Sequence, residues 1–180
     1  MALRVHLGLA TAAIDEHPEH LRALLDESQQ VAAEALQNLR DLAHGIYPPL
    51  LADEGLVVAV RARSHRSPLP VQVYGDERRR YPQETEMAVY FCCLEALQNA
   101  TKYSGASKIT VHLIDGEDAL QFSVEDDGQG FVPSETKWGA GLQHMTDRLQ
   151  ALGGDLEIIS SPGHGTRLAG EVPNRVGLGA

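Results

Sequence analysis

Residues 124–131 read Val-Glu-Asp-Asp-Gly-Gln-Gly-Phe, and no other stretch limits so strongly what this chain can fold into. An alternating apolar run, the mark of a half-buried strand, ends there on a carboxylate and two glycines one residue apart. Glycine adopts positive φ and lets other atoms approach the main chain, so the segment predicts a tight turn under a flat ligand. D-x-G-x-G by itself is a weak signal. It gains force from Glu95-Ala96-Leu97-Gln98-Asn99 upstream, Gly139-Ala140-Gly141-Leu142 after it, and Gly163-His164-Gly165-Thr166 near the end.

The chain has 180 residues, room for one full domain and an added helical element. Its formal charge of -10 argues against a direct nucleic-acid surface, which would carry a basic stripe. The short run Arg78-Arg79-Arg80, beside Asp76 and Glu77, reads as a solvated turn. Cys92 and Cys93 are the only cysteines; adjacent in an apolar helical run, they predict core residues, not a disulfide or a metal site. Arg4 and His6 break the apolar start, which excludes a signal peptide as the reading of residues 1–13. No run of about 18 apolar residues is present, so no membrane contact is expected of this stretch.

Residues 1–48 carry a helical seam. Leu3, Leu7, Ala10 and Ile14 form one helix; Pro18 opens a second, with Leu21, Leu25, Ser28, Ala32, Ala35, Leu39, Leu42 and Ile46 along one side. Gly45 and Pro48-Pro49 end it. The hairpin either packs on its own domain or forms half of a dimeric four-helix bundle, and the narrow seam favours the dimer.

Beyond it, the patterns predict a helix over 55–63, a strand over 69–74 and a long helix over 83–103 with Met87, Tyr90, Phe91, Leu94 and Leu97 on its apolar side. Strands follow around 109–113 and 120–124, then a helix over 142–152 and two strands flanking Pro162-Gly163-His164-Gly165. The class is α+β: a two-layer α/β sandwich over 49–180, preceded by an antiparallel helical hairpin over 1–48. Gly128-Gln129-Gly130 is not a dinucleotide fingerprint, since it follows no β-α unit with a third glycine.

The four elements, in this order, resemble the N, G1, G2 and final Gly-Thr boxes of the GHKL (Bergerat) ATP-binding fold. On the long helix, Glu95, Asn99 and Lys102 fall at i, i+4 and i+7 and predict one face carrying a carboxylate base, a neutral oxygen and a cation. That set suits ATP with Mg²⁺, with Asn99 as metal ligand, because magnesium takes few protein ligands and keeps waters and phosphate oxygens. An isolated E-x-x-x-N would read as a solvated helix face; the glycine boxes downstream decide against that. Asp126 ends a strand where its carboxylate can accept the exocyclic amine of adenine, with Gly128 and Gly130 admitting the ring. By resemblance, the Thr166 hydroxyl bonds Asp126 or a water at the adenine. Gly139, Gly141 and Leu142 open a helix whose amides and dipole favour phosphate. Residues 131–138 take the place of a lid over the nucleotide.

Within that superfamily the chain most resembles sensor histidine kinases that pair with helix-turn-helix (nitrate-response-type) response regulators. The marks are residues 39–48 (Leu-Arg-Asp-Leu-Ala-His-Gly-Ile-Tyr-Pro), residues 95–106, the short lid, and Met145-Thr146-Asp147-Arg148-Leu149 before Gly153-Gly154. Tyr103 stands where the family usually has histidine. The phosphoacceptor pattern H-[DE]-x-x-x-Q does not occur: His6 precedes Leu7, His20 precedes Leu21 and His44 precedes Gly45. The resemblance implies a fragment that transfers the γ-phosphate of ATP to a histidine upstream of it, as a homodimer, for relay to a response regulator. A cytoplasmic location follows, with a parent free to be membrane-anchored. Another GHKL ATPase, an anti-sigma-type serine kinase and a non-catalytic dimerisation module are the alternatives.

Overall fold

Pro49 opens a helix where the sequence pattern only ends one. In the computed structural model, which describes residues 48–136 and 139–174, α1 is Pro49–Glu54 and α2 is Leu56–Ser64. Pro49 sits in the first turn, where its missing N–H costs nothing. Gly55, at φ 83°, joins the two: its N–H donates to Leu51 O at 3.1 Å, and its own carbonyl accepts from Ala59 N–H at 3.1 Å. The expected hairpin over 1–48 lies outside the described residues except for Pro48.

The remaining elements follow the sequence pattern. Strand β1 is Val71–Tyr74, α3 is Gln83–Asn99, β2 is Ile109–Asp115 and β3 is Ala119–Asp126. Helix α4 is Ala140–Gln150, β4 is Asp155–Ser160 and β5 is Thr166–Pro173. They form one sheet in the order β1-β2-β3-β5-β4, with β1 parallel to β2 and the other pairs antiparallel. Helix α3 makes the β1-to-β2 crossover. Since β5 lies antiparallel to both β3 and β4, it fills the gap left by the α4 crossover, a placement no local pattern announces. The expected α+β sandwich is what forms.

Alternation along the strands gives the sheet one apolar face. Ile109, Val111, Leu113, Leu120, Phe122, Val124, Leu168 and Val172 are all buried. Against them α3 places Val89, Cys92, Cys93, Ala96 and Leu97, and α4 places Met145 and Leu149. Met87, Phe91 and Leu94, expected on the apolar side of α3, are only half-buried. Smaller residues hold the core side instead. Both cysteines are core residues, as expected, and burial pushes the Cys92 thiol up to about 12 and raises Cys93 as well.

The run Arg78-Arg79-Arg80 is not simply solvated. Arg80 pairs through Nε with Oε1 of the fully buried Glu86 at 2.9 Å and through an Nη with Oε2 at 3.2 Å. The same Nη donates to Leu51 O and Ala52 O, at 3.3 and 2.9 Å, near the end of α1. Arg79 pairs with Asp115 at 2.9 Å. Arg80 therefore clamps the start of α3 to α1, and Arg79 holds the same segment to the end of β2. Among the described residues, no helix is long and apolar enough to cross a membrane.

Candidate functional site

Helix α3 carries Glu95 and Asn99 one turn apart, both half-buried. The α-helix stops at Asn99, however, and Ala100–Ser104 form a π turn closed by Gly105 at φ 63°. Thr101 and Ser104 hydroxyls donate back to Leu97 O and Ala100 O, at 2.8 and 2.6 Å, which favours the altered winding. Lys102 therefore sits exposed in the π turn, where the straight-helix i+7 spacing that placed it with Glu95 and Asn99 does not apply. π turns inside helices recur at functional positions.

Gly141 brings α4 onto this face. A Cβ at position 141 would overlap the Glu95 carboxylate, so the N-terminal turn of α4 rests directly against Glu95. Gly139, the residue before α4, has open space around it and an ordinary φ of −76°. Nothing in the structure requires glycine there. Leu142, half-buried, donates its N–H to Gly139 O at 3.2 Å.

Asp126 ends β3 directly opposite Thr166, and Thr166 is directly opposite Ser160 on β4. Directly opposed residues share a face, so Asp126, Thr166 and Ser160 form one polar row across three strands. The row lies two residues beyond Val124, Leu168 and Ile158, at the end of the face that packs on α3 and α4. The Asp126 carboxylate accepts the Gly128 N–H at 2.9 Å, and the Thr166 N–H and the Ser104 hydroxyl lie near enough to favour its charged form. Burial still raises its pKa, and the Asp127 charge adds to that. The Thr166 hydroxyl, expected to bond Asp126 or a water at the adenine, makes no hydrogen bond to Asp126. Its Oγ1 lies 3.2 Å from Ser160 Oγ instead.

The glycines of the D-x-G-x-G turn are needed first by the protein's own packing. A Cβ on Gly128 would overlap Ser104 O, and Gly130, at φ 60°, lies against Ser161 O. Asp127 pins the turn to the start of β2: the Ser107 hydroxyl donates to Oδ2 at 2.6 Å, and the Ser107 and Lys108 N–H groups donate to Oδ1 at 2.8 and 3.0 Å. Those bonds, the Ser107 hydroxyl foremost, hold the Asp127 carboxyl at about 2. Gln129 N–H donates to Ser104 O at 2.8 Å, and Gly163 N–H to Gln129 O at 2.6 Å. The roles of Ser104, Asp127 and Ser160 escape sequence reading because each has a partner twenty or more residues away along the chain.

The segment expected as a lid begins at Phe131, whose N–H donates to Ser160 Oγ at 3.0 Å. A short 3-10 turn over Pro133–Glu135 follows; Lys137 and Trp138 lie outside the described residues. Chemically, the site joins a half-buried carboxylate and hydroxyl row to a Glu/Asn helix face and a glycine-bearing helix start. Among the described residues, no group of three or more His, Cys, Asp or Glu side chains could hold a metal by itself.

The model of the histidine kinase-, DNA gyrase B- and HSP90-like ATPases matches residues 84–175, and a histidine kinase model matches residues 1–51. The sensor protein VraS of Staphylococcus haemolyticus is 28% identical over 163 residues, 90% of this chain and 46% of VraS. The signal transduction histidine-protein kinase/phosphatase UhpB of Salmonella typhimurium is 36% identical over 93 residues, 52% of this chain and 18% of UhpB. The chain thus spans less than half of either relative. Among solved structures, the blue-light activated histidine kinase of Erythrobacter litoralis EL346 superposes with a TM-score of 0.58 at 26% identity, over 96% of this chain and 57% of that one. With one family model covering just over half of its residues, the chain belongs to the histidine kinase-, DNA gyrase B- and HSP90-like ATPases.

Proposed function

We propose that this chain is the ATP-binding catalytic region of a two-component sensor histidine kinase, and that it passes the γ-phosphate of ATP to a histidine outside these 180 residues. The observation that carries this reading is the meeting of Glu95 with Gly141, which sets a carboxylate beside a helix start suited to phosphate. Asp126, held by the Gly128 N–H at the end of the sheet face, accepts the adenine amine. Gly128 and Gly130 keep the turn beneath it narrow. Asn99 and Glu95 fit a Mg²⁺-triphosphate: one neutral oxygen and one carboxylate, a helical turn apart, match a cation that keeps most of its ligands as water and phosphate. When bound, Mg²⁺ neutralises the phosphate oxygens. Glu95 orients the attacking histidine and takes its proton, while Lys102, on the π turn, approaches the phosphates. Gly139 and Leu142 frame the start of α4, and residues 131–138 cover the nucleotide.

The match of the histidine kinase model to residues 1–51 supports a division into a dimerisation hairpin over 1–48 and a catalytic domain over 49–180. On this reading the protein works in the cytoplasm as a homodimer, in a parent free to be membrane-anchored, and its phosphate reaches a response regulator with a helix-turn-helix output domain. Displacement of a fluorescent ATP analogue tests the base assignment. Guanine places a carbonyl where adenine has its amine, so ATP should compete roughly tenfold to a hundredfold better than GTP. Equal displacement by GTP would remove Asp126 as the reader of the base.

A further inference from the structure

Ser160 is not among the residues that the sequence motifs single out, yet three hydrogen bonds converge on its hydroxyl. Phe131 N–H approaches at 3.0 Å, Gly165 O at 2.8 Å and Thr166 Oγ1 at 3.2 Å. A serine hydroxyl has one proton and two lone pairs. The N–H can only donate and the carbonyl can only accept, so the Ser160 proton goes to Gly165 O and one lone pair takes the Phe131 N–H. The remaining lone pair faces Thr166, and the third contact is satisfied only if Thr166 donates its proton to Ser160. Thr166 Oγ1 is then left with lone pairs alone. Its cross-strand neighbour Asp126 also offers lone pairs alone when ionised.

We propose that Ser160 is a positioning residue that fixes the polarity of the base-reading row, committing the Thr166 proton so that Thr166 and Asp126 both present acceptors. The inference rests on the adenine-nucleotide reading of this site and deepens it. Two neighbouring acceptors favour a ligand edge that carries a donor, such as an exocyclic amine, and penalise an edge carrying a carbonyl. Without Ser160, the Thr166 hydroxyl is free to turn and donate, and a carbonyl edge becomes acceptable. The same serine ties Phe131, where the segment over the nucleotide begins, to that row. Loss of this tether weakens any nucleoside triphosphate alike. The ratio between two nucleotides therefore reports polarity, separately from the tether.

The test compares ATP with inosine triphosphate, which at the base edge carries a carbonyl in place of the amine and a proton on N1, in competition against a fluorescent ATP analogue. Ser160→Ala should narrow the ATP-to-inosine-triphosphate preference by roughly tenfold. Ser160→Thr keeps the hydroxyl and should keep the wild-type ratio. Thr166→Val removes the acceptor but leaves the Ser160 bonds to Phe131 and Gly165 in place; it should lower ATP affinity by roughly tenfold, spare inosine triphosphate, and make a further Ser160→Ala change silent in the ratio. If Ser160→Ala melts before it can be titrated, Thr166→Val decides alone: unchanged ATP affinity overturns the inference. A wild-type chain that prefers ATP, with the same ratio in folded Ser160→Ala, overturns the polarity inference and leaves the adenine assignment standing. A wild-type chain that binds no ATP overturns both.

Discussion

Glu95 on α3 and Gly141 in the first turn of α4 touch so closely that any side chain at 141 would displace the Glu95 carboxylate. That atom is the far end of a flexible chain, so the protein can absorb the intrusion by moving Glu95. Gly141→Ala should therefore melt within about 1 kcal/mol of wild type, since alanine also favours the helix by about that much. Phosphotransfer to a supplied histidine-bearing helical fragment should fall by about tenfold or more, because the displaced group is the one assigned to the nucleophile. Gly139→Ala, with open space around it, serves as the control and should transfer phosphate normally. Equal effects of the two substitutions would separate Glu95 from the chemistry.

Asp126 is held at a cost to stability. Burial raises its pKa above the ordinary 3.8, so above that value the folded chain binds more protons here than the unfolded chain does. Stability from this group is greatest at low pH and declines as pH rises through the interval between the two values. Asp126→Asn removes the ionisation and keeps an acceptor for the Gly128 N–H. The melting temperature of the variant relative to wild type should therefore be higher at about pH 7 than at about pH 4, while ATP affinity at pH 7 falls. Calorimetric scans at both pH values check the sign. A relative melting temperature that is lower at pH 7 contradicts it.

The Arg80–Glu86 pair joins the start of α3 to the carbonyls of Leu51 and Ala52 at the end of α1. Arg80→Ala removes the guanidinium from a fully buried carboxylate that keeps its bond from the Tyr81 N–H, and should cost about 3 kcal/mol, the low end for such losses because the Arg80 side chain is half-exposed. An Arg80→Met, Glu86→Leu double variant should recover most of that. Urea unfolding of the three proteins measures both numbers, and a double variant no more stable than Arg80→Ala would show that the pair's hydrogen bonds, not its charge burial, hold the segment.

Elements with local signatures are legible in the sequence: the turn at Asp126–Gly130, the cysteines in the core, the alternating strands. Helix α1 is not, because Pro48-Pro49 signals an end and a beginning equally well. Lys102 eludes a spacing argument for a related reason, since a π turn changes the winding without changing the residues that such an argument counts. Arg80 reads as solvated because the buried carboxylate it pairs with, Glu86, lies on a helix whose apolar side the sequence pattern gives to larger residues. Ser160 and Ser104 each matter partly through a loop contact more than twenty residues away, to Phe131 and Gln129, and β5 reaches Asp126 only because it enters the sheet between β3 and β4.

Binding of ATP with magnesium at the Glu95–Asn99 face of α3 is the step on which the proposed kinase chemistry depends most directly. Isothermal titration of ATP into the chain, with and without Mg²⁺, for wild type and Asn99→Ala, measures it. Magnesium should tighten ATP binding to the wild type, and Asn99→Ala should lose most of that gain while retaining the weaker, metal-free binding at Asp126. Equal magnesium dependence in the two proteins would contradict the assignment of Asn99 to the metal and of this helix face to the triphosphate.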